Sequence, residues 1–85
     1  MIVQYSPHFT RLYKKLTFEL RRDAKVKEKV FRADPFDPRL KTHKLSGRLE
    51  GLYAFSISHS HRIIFEFVKN DLARFHEIGT HDIYE

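Results

Sequence analysis

The reading of the fold turns on YAFSISHSHRIIFEF, residues 53–67. On both sides of SHSH the apolar residues recur with period two. Tyr53, Phe55 and Ile57 alternate with Ala54, Ser56 and Ser58, and Ile63, Phe65 and Phe67 alternate with Ile64, Glu66 and Val68. Side chains on a strand alternate between the two faces of its sheet, so this is the pattern of two half-buried strands. SHSH is short enough to join them as a hairpin. On the second strand Arg62 and Ile64 point opposite to Ile63, Phe65 and Phe67. Arg62 therefore faces away from the apolar layer.

Downstream, Lys69-Asn70-Asp71 reads as the next turn. Leu72 to Ile78 reads as a third strand, ended by Gly79. Upstream, Ile2 to Tyr5 is a short strand. Ser6 is placed to cap a helix with Pro7 at its first position. Phe9, Leu12, Tyr13, Leu16 and Leu20 follow at three- and four-residue spacing, which is one helical stripe. Asp23 is placed to cap a second helix carrying Ala24, Val26, Val30 and Phe31. Pro35 and Pro38 stop helix formation. Residues 34–51 show no clean period and read as a long basic loop, a kind of segment that is often functional. The order β-α-α-β-β-β predicts one α+β domain over residues 1–85, an antiparallel sheet with an N-terminal αα-hairpin (residues 7–33) on one face. The other sheet face is then open, and basic and His side chains on it would suit a strand of nucleic acid.

At 85 residues the chain depends on a dense core, and eight Phe and four Tyr supply one. There is no Cys, which excludes disulfide and thiolate chemistry and fits a cytoplasmic location. No apolar run is long enough to span a membrane, and MIVQYSPHF has no signal-peptide pattern. Charge is unevenly spread. Residues 1–34 carry nine Lys or Arg against four acids, residues 35–48 four against one, and residues 49–85 three against six. A basic first half fits a polyanionic partner, and equally a solvated helix surface.

The side chains narrow the chemistry. His59 and His61 share one side of an extended chain, but without Cys a four-ligand metal site lacks donors, and no metal or other cofactor is expected. Ser56, Ser58 and Ser60 sit in no nucleophile elbow, and three scattered Gly make no phosphate loop. Acid-base chemistry on RNA fits better. RNA carries its own nucleophile, the 2′-hydroxyl, so His and Arg suffice to take its proton, stabilise the phosphorane-like transition state and protonate the leaving oxygen. The candidates are His43, His59, His61, Arg62 and His81, with Tyr84 as a further substrate contact. Arg39, Lys41, Lys44 and Arg48 are the candidates for phosphate contacts.

LKTHKLSGRLEG (40–51), HRIIFEF (61–67) and IGTHDIYE (78–85), in that order, resemble the RelE/ParE superfamily of toxins from type II toxin-antitoxin systems, and most nearly its YafQ/YoeB-like branch. The resemblance covers nearly the whole chain. It rests on an L-x-x-H-x-L-x-G loop, an R-[IVL]-[IV]-[YF] strand and a terminal G-[ST]-H. It implies a ribosome-dependent mRNA endonuclease that is metal-independent, held by a cognate antitoxin, in a complex that often binds its own operator DNA. His43 matches the loop His of YafQ-like proteins, Arg62 the strand Arg of YoeB-like proteins, and His81 the terminal His associated with general-acid work. The chain departs from the pattern in its general base. Ser60 stands where YafQ-like proteins have an acid, and neither Asp37 nor Glu50 aligns with the YoeB-like carboxylate. The base is then His43, with His59 or His61 as substitutes. Two other readings remain beside the endonuclease: a ParE-like gyrase poison and a non-catalytic nucleic-acid-binding domain.

Overall fold

A computed structural model describes residues 1–84, without the side chain of Tyr84. Strand β1 (Ile2–Tyr5) leads into helices α1 (Pro7–Lys14) and α2 (Phe18–Ala33). Strands β2 (His43–Lys44), β3 (Tyr53–Ser56), β4 (Arg62–Lys69) and β5 (Leu72–Gly79) complete a five-stranded sheet in the order β1-β5-β4-β3-β2. Short 3₁₀ turns lie at Pro38–Leu40, Gly47–Leu49 and His81–Tyr84. This is the expected α+β architecture with its N-terminal helix pair and β3-β4-β5 meander.

Three details differ from the expectation. The sheet is mixed, because β1 runs parallel to β5 while the other pairs are antiparallel. Hairpin reasoning finds neighbours in sequence, whereas β1 and β5 come from opposite ends of the chain. Second, the basic loop contains a strand: His43 pairs with Ala54 and Lys44 with Tyr53. A two-residue strand has no period to detect, and the loop is anchored by Leu40, which is fully buried. Third, the helices divide at residues 15–17 and not at Asp23. The Thr17 hydroxyl caps α2 by accepting from Leu20 N at 3.2 Å. The Arg21 guanidinium donates to Leu16 O at 2.8 Å, giving a carbonyl after α1 a partner. Leu16 and Leu20 keep helical spacing across this break, which hides it in sequence. At the front of α1 the expected cap is present, with Ser6 Oγ accepting from Phe9 N at 2.9 Å and Pro7 at the first turn.

The core lies between the helices and one sheet face. Phe31 of α2 has no exposed surface. Its ring centroid lies 4.9 Å from Phe55, 4.9 Å from Phe65 and 5.2 Å from Phe75. Stacked and edge-on aromatic pairs at such distances add to plain area burial. Phe9 of α1 meets Phe75 edge-on at 5.6 Å, which brings the first helix onto the same cluster.

The second sheet face is not the bare basic surface expected from the sequence. Ala54 and Ile64 on it are buried, and Leu49 and Leu52 of the loop border the same groove as Ile64. The groove also carries acids: Glu66 is paired with His76 at 2.7 Å and Glu77 with His8 at 3.0 Å. His8, Arg11 and His76 line the same groove, so it is of mixed charge and partly apolar, not bare and basic.

Removing the central ring tests this account. Phe31→Ala should cost about 3–5 kcal/mol, the range for deleting a buried aromatic. That is a large part of the ~5–15 kcal/mol typical of a whole domain. Urea unfolding should show a large drop in midpoint, and Phe31→Leu should lie between the two.

Candidate active site

The site forms where three strands stop. Ser56 at the end of β3 is opposite Arg62 at the start of β4, and Arg62 is opposite Gly79 at the end of β5. These three residues make one row across the sheet. Beyond it stand the β3–β4 hairpin and the 3₁₀ turn at His81–Tyr84.

The hairpin is built from its own serines. Ile57 N donates to His61 O at 3.0 Å, closing the loop. Ser58 Oγ accepts from Ser60 N at 3.3 Å and from His61 N at 3.2 Å. Ser60 Oγ contacts His61 Nδ1 at 2.7 Å. Hydroxyls bound to nearby backbone are how Ser stabilises turns, so these serines have structural work in the hairpin.

The tail turn packs onto a glycine. A Cβ on Gly79 would stand 2.5 Å from Ile83 Cγ2, so the Ile83 side chain packs directly onto the bare glycine at the strand end. Ile83 N donates to Thr80 O at 3.1 Å and closes the turn. His81 and Asp82 are thereby held over the row of strand ends.

Between these parts lies an open cleft of about 850 Å³. The hairpin contributes Ser58, His59 and Ser60 to its wall, the strand ends contribute Ser56 and Arg62, and the tail contributes Thr80, His81 and Asp82. Facing them are Lys27 from α2, with Arg39 and Lys41 from the loop that follows. Among the described residues four Lys or Arg thus line the cleft, against the one carboxylate of Asp82. Arg62 is the floor. Its Nη1 is buried and, among the described residues, has no hydrogen-bond partner. A buried donor without a partner is costly, and an anionic oxygen in the cleft would supply one.

Two of the cleft's cations are held by local devices. Asp37 accepts from Arg39 Nε at 3.0 Å and from Nη2 at 2.9 Å, a forked pair that fixes the guanidinium. Hydrogen bonds from the Arg39 side chain, then from its backbone N–H, hold the Asp37 carboxyl down at about 2. Lys41 has φ 54°, a left-handed conformation unfavourable for a residue with a Cβ. Its carbonyl lies 3.0 Å from His43 Nδ1. A carbonyl only accepts, so Nδ1 carries the proton and Nε2 is the basic nitrogen of the neutral ring.

Of the residues expected from sequence, Arg62, His59, His81, Arg39 and Lys41 meet in this cleft. The others lie off its wall. His61 has its ring on Ser60, and His43 is exposed on β2 with its ring on the Lys41 carbonyl. Lys44 on β2 and Arg48 in the Gly47–Leu49 turn are exposed elsewhere. The side chain of Tyr84 lies outside the described residues. Lys27 and Asp82 are on the wall without having been expected there. Lys27 gives a signal only in retrospect, as a charge on the inward stripe of a helix. Among the described residues no three His, Asp or Glu gather at metal-binding distance, and no helix is long and apolar enough to cross a membrane.

No family model and no curated protein sequence matches the chain. Solved structures do. YafQ from E. coli strain BL21(DE3) superposes with a TM-score of 0.79 at 19% identity, over 95% of this chain and 93% of its own. A YoeB/ParE toxin from Agrobacterium tumefaciens gives 0.79 at 14% identity, over 95% and 99%. In the E. coli DinJ-YafQ toxin-antitoxin complex the matching chain gives 0.76 at 20% identity, over 95% and 92%. The fold is therefore that of the YafQ and YoeB toxins, as the sequence motifs suggested.

Two outcomes follow from this geometry. Because the folded Asp37 is more acidic than its ordinary 3.8, the pair's contribution to stability is present above that value and is lost as pH falls towards about 2. Asp37→Asn should remove that part of the acid limb in a pH series of thermal melts, without changing stability trends near neutrality. Gly79→Ala should displace the Ile83 side chain from the strand end, shifting Ile83 methyl and His81 resonances in NMR far more than those of the core.

Proposed function

From the fold shared with YafQ and YoeB, we propose that this chain is the toxin of a type II toxin-antitoxin system and acts as a metal-independent endoribonuclease on ribosome-bound mRNA. The observation that carries the reading is the cleft at the strand ends. It joins a buried guanidinium nitrogen that has no partner among the described residues to two His side chains, inside a wall of cations. Such a wall attracts a phosphodiester backbone and offers little to a neutral substrate.

The reaction needs three services. A base takes the proton of the 2′-hydroxyl, and the 2′-oxygen attacks the adjacent phosphorus. The bond to the 5′-oxygen then breaks, and an acid gives that oxygen a proton. The products are a 2′,3′-cyclic phosphate and a 5′-hydroxyl end. Arg62 stabilises the charge that builds on the phosphate, and its unpartnered Nη1 is the donor that does so. His81, carried on the tail turn, is the acid. His59 is the one of the three candidate bases on the cleft wall, so this reading gives it the proton of the 2′-hydroxyl. His43 acts indirectly, by holding the backbone of Lys41. Arg39 and Lys41 bind neighbouring phosphates.

An antitoxin is the expected partner, since YafQ is seen with DinJ in a toxin-antitoxin complex, and the complex would be the form that binds operator DNA. The basic first half of the chain suits an acidic partner segment and ribosomal RNA alike.

Cleavage of a defined message on ribosomes tests the assignment. Arg62→Ala should lower the rate by ~10²–10³-fold, as for the loss of a preorganised electrostatic donor. His81→Gln should lower it by ~10²–10⁴-fold, as for a positioned acid. Both variants should keep the parent's circular dichroism, and a chelator that takes transition metals but leaves the ribosome's magnesium in place should not change the parent's rate. Unaltered cleavage by His81→Gln, or altered DNA supercoiling with intact transcripts, would refute the endonuclease reading.

A further inference from the structure

The inward stripe of α2 contains one residue that packing does not explain. Ala24 and Phe31 are the buried residues of this helix. Lys27 follows the first by three positions and precedes the second by four, so it lies on the same face. It is half-buried there. Leu or Met at this position would remove more apolar surface from water. Neither would hold a charge beside the low-dielectric core. Among the described residues no hydrogen bond or ion pair holds Lys27. It does reach the cleft, where it forms the helix side of the wall. A long Lys side chain can lay its stem along apolar surface and keep its ammonium in water.

Lys41 stands in the same wall at an equally unfavourable place, a left-handed backbone position. Breaches of local preference that converge on one cleft are what a functional site leaves behind.

We propose that Lys27 is a phosphate-binding residue of this cleft, gripping a phosphodiester of single-stranded RNA next to the one at Arg62. Lys27 comes from the helix layer and Arg62 from the sheet, so the strand lies across the seam between the two layers. Lys27 takes no part in proton transfer. Its effect is on binding and on how the strand threads past Arg62 and His81. The identity of the strand rests on the endoribonuclease reading above.

The test compares Lys27→Met and Lys27→Arg with the parent and with Arg62→Ala. The binding probe is a short 2′-O-methylated oligoribonucleotide, which lacks the nucleophile and cannot be cut. Affinity is read at several salt concentrations, thermal stability in parallel, and cleavage of ribosome-bound message by KM and kcat. Lys27→Met should melt at or above the parent's temperature. It should bind the probe several-fold more weakly, with the slope of log affinity against log salt reduced by about 0.7, the value for one lost contact to a single strand. KM should rise with kcat little changed, and Lys27→Arg should restore binding. If Lys27→Met matches the parent in affinity and slope while Arg62→Ala is impaired, the proposal is overturned and the nuclease reading stands. If the parent neither binds the probe nor cuts message, both are overturned.

Discussion

The contact of Phe31 with Phe55, Phe65 and Phe75 is what the rest of the molecule depends on. Rings from α2 and from three strands meet there with no exposed surface on any of them. The four come from positions far apart in the chain, so forming the cluster fixes the angle and height of α2 over the sheet. In a domain of this size no second core exists to compensate for its loss. Everything in the cleft inherits its position from this contact. Lys27 is one helical turn before Phe31, and the loop bearing Arg39 and Lys41 leaves from the end of the same helix.

The cleft itself is a consequence of strand endings. Inside a sheet each backbone group is paired and side chains pack closely, leaving no room for a substrate. At the row of Ser56, Arg62 and Gly79 the ladder stops, and the chain must turn. The hairpin and the tail turn rise past that row, and the open space between them is bounded by loops anchored in the core by residues such as Leu40 and Ile57. Residues with high intrinsic cost can be held here because the core nearby is rigid. Arg62 illustrates it: its strand is packed on the other face by Ile63 and Phe65, so the guanidinium is held with a buried nitrogen that would otherwise seek water.

The charge distribution along the chain has a spatial meaning that its sum does not. The acids of the last strands lie on the second sheet face, where Glu66 and Glu77 are engaged by His76 and His8. Basic residues from the helix and the loop are delivered to the opposite shore of the cleft from the His-bearing hairpin. One end of the sheet therefore concentrates positive potential in a concave, partly low-dielectric site, where fields are stronger than on a flat surface.

Strands β3 to β5 and the start of α1 were legible in the sequence, because each follows from a local rule. Period two sets a strand's faces, and a Ser before a Pro sets a helix start. The resemblance of three short motifs also pointed to the toxin fold, since their order fixes which loops share one end of the sheet. Other features depend on contacts that no local pattern encodes. The parallel pairing of β1 with β5 joins opposite ends of the chain, and the break between the helices is masked by the spacing of Leu16 and Leu20. Membership of the cleft was of this second kind. His43, Lys44 and Arg48 carry the right chemistry, yet the short strand β2 and the turn after it leave them off the wall. Lys27, unremarked in the sequence, is on the wall because α2 crosses the sheet at the height Phe31 dictates. Residue type and period are properties of neighbours along the chain, whereas a cleft is made by residues distant in sequence, and only the packed core decides which of them meet.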